Sequence, residues 1–77
     1  MPTILRQDGF RFFFYSREGN EPPHVHVVGH DGEMKVWLNT LTVAKAFNLS
    51  PSHQKLVMEI VSTNRDLLIK KWGEFHG

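Results

Sequence analysis

The sequence predicts an α+β fold: a small antiparallel sheet of three or four strands, followed by a short helix and a long C-terminal helix packed on one sheet face. Three observations carry this. The first half is rich in aromatic and β-branched residues broken by Gly-containing turns. Ser50-Pro51 is a helix start, with Ser as cap and Pro at the first helical position. Beyond it Leu56, Val57, Ile60, Val61, Leu67 and Leu68 keep near-helical spacing.

Taken in order, Ile4 to Arg6 reads as a short strand, and Asp8-Gly9 as a tight turn. Phe10 to Ser16 reads as a long aromatic strand. Arg17 to Pro23 is a polar loop, closed by two prolines that cannot donate to a ladder. His24 to Val28 and Glu33 to Leu38 are strands about the turn Gly29-His30-Asp31-Gly32. Thr42 to Phe47 is long enough for a short helix, and Asn48 suits a left-handed end. The long helix runs from Ser50-Pro51, with Trp72 and Phe75 extending its apolar stripe and Gly73 loosening its end. That stripe must be buried, and a sheet face is the available surface. Lys70-Lys71 reads as a solvated last turn, and His76-Gly77 as a frayed end.

A chain of 77 residues fits one domain, residues 1–77. At this size only about 60–65% of the unfolded chain's surface is buried on folding, so a partner subunit, including a second copy of the chain, can matter to stability. There are no cysteines, which excludes disulfides and thiolate metal sites. The net charge of +1 means that any pull on nucleic acid comes from a local patch. Met1 to Arg6 lacks a basic region followed by an apolar signal core, and no apolar run approaches the ~20 residues of a membrane span. The expected setting is the cytoplasm, with no membrane partner.

Strand alternation groups the side chains into faces. His24, His26 and Val28 share one face; Val25 and Val27 share the other. A two- or four-residue turn within Gly29 to Gly32 sets His24 and His26 beside Lys35 and Trp37. Val25, Val27, Met34, Val36 and Leu38 then form a continuous core face. Phe10, Phe12 and Phe14 suit that core, which leaves Arg11, Phe13 and Tyr15 with the histidines. The resulting face is basic and aromatic, and no helix obviously covers it. Exposed aromatic clusters of this kind mark interaction sites.

The candidate catalytic residues are His24, His26, Lys35 and Tyr15. Two imidazoles can act as base and acid near neutral pH. Lys35, Arg11 or Arg17 can stabilise a phosphate, with Tyr15 as a further donor. These are the needs of metal-independent RNA cleavage. Arg11, Phe13, Arg17 and Trp37 are candidate binding residues, Trp37 by stacking on a base or by anchoring a protein interface. As a metal pair, His24 and His26 want a third ligand; Glu21, His30 and Glu33 are available but none stands at a diagnostic spacing, so no metal and no cofactor is expected. The bland reading is that the histidines hydrogen-bond within a partner interface. A separate signal lies at 41–60, where a short helix, a turn and a Ser-rich helix start resemble a helix-turn-helix. Ser52, His53, Gln54 and Lys55 would then meet base edges of DNA. An ordinary helical hairpin packed on the sheet competes with that reading.

The residues also suggest a family. Met1-Pro2-Thr3-Ile4, Gly9-Phe10-Arg11-Phe12-Phe13-Phe14-Tyr15-Ser16, Glu21-Pro22-Pro23-His24-Val25-His26-Val27, Lys35-Val36-Trp37-Leu38 and Trp72 resemble, nearly end to end, the small prokaryotic domain-of-unknown-function family numbered forty-one sixty. Its members are typically encoded beside a second small protein of another uncharacterised family. The resemblance implies a toxin–antitoxin pair, with this chain similar to the toxin and a cognate antitoxin-like protein as partner. It supplies no catalytic residue set. Met34 stands where a small residue is common in similar proteins, and facing the core it should alter packing. The sequence therefore leads to a toxin-like component acting through the histidine face on a target such as RNA. The alternatives are a nucleic-acid-binding regulator and a non-catalytic interaction module.

Overall fold

The computed structural model describes residues 3–77; Met1 and Pro2 of the opening motif lie outside them. Five strands, β1 (Thr3–Gln7), β2 (Phe10–Phe13), β3 (His24–Gly29), β4 (Gly32–Trp37) and β5 (Thr42–Phe47), form an antiparallel meander in sequence order. Two helices follow, α1 (Pro51–Thr63) and α2 (Arg65–His76). The α+β class is as expected, but the sheet has five strands rather than three or four.

Two hairpin turns set the register. Asp8 and Gly9 both have positive φ, as do His30 and Asp31. This is the backbone twist that two-residue hairpins require. The His30-Asp31 turn pairs His24 with Trp37, His26 with Lys35 and Val25 with Val36, the register expected of a two-residue turn. Gly29 and Gly32 flank it under crowding. A Cβ on Gly29 would lie 2.4 Å from the Gly9 carbonyl oxygen, and one on Gly32 would lie 2.4 Å from that of Asn48.

Residues 42–47 form a strand, not the expected helix. Ala44, Lys45 and Ala46 favour helix locally, but Thr42, Val43 and Phe47 suit a pleated edge. The free edge of β4 satisfies their backbone groups. β5 carries a bulge, since Lys35 pairs with Lys45 while Val36 pairs with Val43. All six β5 residues are exposed. With no helix there, the helix-turn-helix hairpin at 41–60 does not form. The residues assigned to base edges are used elsewhere: Gln54 donates to the Leu49 carbonyl at 3.0 Å, and His53 stacks on His30 at 4.3 Å between centroids.

Ser50 caps α1 as expected, its Oγ accepting from the His53 N–H at 3.1 Å. The long helix, however, breaks at Asn64, whose side chain donates back to the Ile60 carbonyl at 2.8 Å. Arg65 Nε donates to the Leu38 carbonyl at 2.8 Å and ties the start of α2 to the end of β4. The break redirects α2, so that Val57, Ile60 and Val61 of α1 and Leu68 and Trp72 of α2 all reach one core with Phe10, Phe12, Phe14, Val25, Val27, Met34, Val36 and Leu38. Met34 is buried there. The expected long strand ends at Phe13. Phe14 leaves the ladder and turns inward, edge-on to Trp72 at 5.3 Å. His76 is packed rather than frayed, 4.0 Å from Trp72 between ring centroids. Among the described residues no helix is long and apolar enough to cross a membrane.

Candidate functional site

β3 projects His24 and His26 to the side opposite Val25 and Val27. The irregular segment 14–23 folds back over them and delivers Glu18. Its Oε1 lies 2.8 Å from His24 Nε2 and 2.6 Å from His26 Nε2. A turn closed by the Glu21 N–H donating to the Glu18 carbonyl at 3.1 Å holds that segment. His24 Nδ1 is 2.9 Å from the Pro22 carbonyl oxygen, so both nitrogens of this ring face acceptors.

The expected open histidine face is half closed. His24 is fully buried. Trp37 covers it edge-on at 5.3 Å and Trp72 lies 4.8 Å away. Of the four candidate catalytic residues His24 is thus the one closed off from solvent, and what it touches is Glu18. His26 remains accessible, stacked on Phe13 at 5.7 Å and edge-on to Tyr15 at 4.4 Å.

Charge on this face is more compensated than the sequence suggests. Lys35 Nζ donates to Glu21 Oε1 at 2.8 Å and sits 4.6 Å from the Trp37 ring. Lys45 pairs with Glu33 at 2.7 Å. Arg11 lies 4.6 Å over the Phe13 ring, which it helps to bury. Arg17 is exposed on the segment 14–23, away from the pocket lining. A pocket of 120 Å³ opens beside His26, lined by Phe13, Tyr15, Lys35, Lys45 and Glu33 among others. Three of the four expected catalytic residues, His26, Lys35 and Tyr15, meet there.

Burial pushes the His26 ring below its ordinary value of 6.5, against the pull of Glu18. Burial alone would raise Glu18, but its hydrogen bonds to both histidines and their attraction hold it below 4.5. A carboxylate oxygen only accepts, so in the 2.6 Å contact the His26 ring is the donor to Glu18.

Two residues of the site, Glu18 and Lys45, carry no signal in the sequence: Glu18 lies six residues before His24 in the polar loop, and Lys45 lies in a segment with local helix preference. The suggested third ligands do not converge on the histidines: His30 bonds the Asp8 carbonyl and Glu33 bonds Lys45, while Glu21 lies 4.0 Å from His24 Nδ1. Among the described residues, the ligand atoms that gather are those of Glu18, His24 and His26, all within 4.8 Å of one another.

The profile of one family, described as a domain of unknown function (DUF4160), matches residues 9–73. The chain belongs to this family. The matched span contains the whole Glu18–His24–His26 cluster and its pocket, so the site described for this DUF4160 chain lies inside the family domain. No curated protein and no solved structure matches the chain significantly.

Proposed function

We propose that this DUF4160 chain is the toxin-like component of a prokaryotic two-gene toxin–antitoxin module, and that it acts on RNA through the pocket beside His26. The observation that carries this reading is the pocket itself, which gathers one accessible histidine, two lysines and a tyrosine in a small cleft. Lys35 and Lys45 would exchange their carboxylate partners Glu21 and Glu33 for a backbone phosphate, with Tyr15 as a further donor, and Phe13 and Tyr15 provide aromatic surface. His26 is the imidazole there that can serve as proton acceptor. The partner is a cognate small antitoxin-like protein.

Expression of the chain alone should arrest growth, and co-expression of the protein encoded beside it should restore growth. His26→Gln with Lys35→Ala should relieve the arrest while the chain still accumulates. Growth that is unaffected with or without the neighbouring protein sinks the reading.

A second reading, a non-catalytic interaction module, draws on β5, an edge strand with Val43 44% and Phe47 62% exposed. Such an edge accepts a strand from a partner protein. Cleavage of RNA by purified wild type, absent in His26→Gln, excludes this second reading.

A further inference from the structure

We infer that Glu18, His24 and His26 form a binding site for a first-row divalent transition ion such as zinc, with Nε2 of each histidine and one carboxylate oxygen as ligands. The inference goes beyond the RNA reading and is tested by binding alone, so either can fail without the other.

The hydrogen-bond pattern at His24 suits a cation between ring and carboxylate. A carbonyl oxygen only accepts, so the 2.9 Å contact to Pro22 places a proton on Nδ1 of His24. In a neutral ring, Nε2 is then a bare lone pair. Yet Nε2 faces Glu18 Oε1 at 2.8 Å, and that oxygen also only accepts. Two lone pairs do not sit at this distance without a positive charge between them. An extra proton on His24 satisfies the geometry, and so does a metal ion bound to both atoms. His26 turns the same nitrogen, Nε2, onto the same oxygen, so an ion there meets three ligands at once.

The surroundings are those of a ligand shell. Metal-bound histidines donate their other N–H to a carbonyl or carboxylate, which fixes the tautomer; Pro22 already does this for His24. The rings of Trp37 and Trp72 fix the plane of His24 and exclude water from that side. Bonds of about 2.1 Å at a tetrahedral ion separate its ligand atoms by about 3.4 Å. The present contacts are 2.8 and 2.6 Å, so the carboxylate need retreat by less than an ångström. Glu18 sits outside the strand ladders, on the irregular segment 14–23, so its shift breaks no ladder hydrogen bond. Two imidazoles and one carboxylate suit zinc and its neighbours rather than magnesium or calcium, and three protein ligands leave a position for solvent.

The test is titration of zinc into the full chain after removal of metal with a chelator. One ion per chain should bind saturably and raise the melting temperature. Glu18→Gln and His26→Gln should each weaken binding at least about tenfold. The double change His30→Gln/His53→Gln, which removes the other histidine pair, should leave it unaltered. The wild-type chain gives a reading independent of whether the variants fold: imidazole nitrogen NMR signals of His24 and His26 should shift on zinc addition, while those of His30 and His53 stay in place. Absence of saturable one-to-one binding, or nitrogen shifts confined to His30 and His53, would overturn the site and leave a proton as the bridging cation.

Discussion

Glu18 accepts a hydrogen bond from His26 at 2.6 Å, and this contact pins the irregular segment 14–23 against the sheet. The same oxygen faces His24, so one carboxylate anchors two histidines and a loop that has no ladder of its own. Several consequences of this arrangement can be measured.

Glu18→Ala removes the carboxylate that the buried His24 and the partly buried His26 share. Loss of one partner from a largely buried polar pair costs about 1–3 kcal/mol. The urea midpoint should fall accordingly, and limited proteolysis should open the segment 14–23 first. Glu18→Gln keeps an acceptor oxygen and should lose less. Equal stability of Glu18→Ala and wild type would show that the carboxylate does not hold the loop.

Acid should destabilise the chain in two stages. His26 and Glu18 both sit below their ordinary values of 6.5 and 4.5 in the folded protein. The unfolded chain therefore binds these protons more readily, and stability falls as pH drops. The loss begins below 6.5 through His26 and continues below 4.5 through Glu18. Denaturation midpoints of metal-free protein from about pH 8 to about pH 2 should show both stages. His26→Gln should flatten the first, and a midpoint that rises on mild acidification contradicts the assignment.

Trp72→Ala should be among the most damaging core changes. The ring packs on Phe14 and closes the site over His24. Truncation of a buried tryptophan costs about 3–5 kcal/mol, a large share of the stability of a small domain. Trp72→Phe should recover part of it. Calorimetric melting of the three proteins gives the order.

Lys35→Ala separates folding from function. The Lys35–Glu21 pair is partly exposed, at 20% and 35%, so its loss should cost about 1 kcal/mol or less. If the pocket holds RNA phosphate, the same change should weaken RNA binding and lower the salt dependence by about one ion. Fluorescence anisotropy at several salt concentrations reads both. Unchanged affinity and slope argue against phosphate contact at Lys35.

Much of the site could be read directly from the chain. Alternation along His24 to Val28 and Glu33 to Leu38, joined across His30-Asp31, was enough to place His26 beside Lys35 and His24 beside Trp37. The core face followed from the same period, because side chains two apart on a strand share a surface. The Ser50-Pro51 helix start is local chemistry and was legible for that reason.

Tertiary structure decided the rest, wherever a residue's role depends on what lies across from it. Thr42 to Phe47 has mixed local preference, and the unpaired edge of β4 made it a strand. The apolar stripe from Leu56 to Leu68 continues through Asn64, so it carries no sign of the break; the anchoring of Arg65 to Leu38 marks it. Trp72 reads as one more stripe residue, and only the redirected α2 brings it over His24. Glu18 reads as loop, since nothing in its neighbours says that the chain folds back to set one carboxylate oxygen against two imidazoles. Periodicity reports which face a side chain takes, whereas burial of His24 and the convergence on Glu18 arise between segments that no local pattern relates.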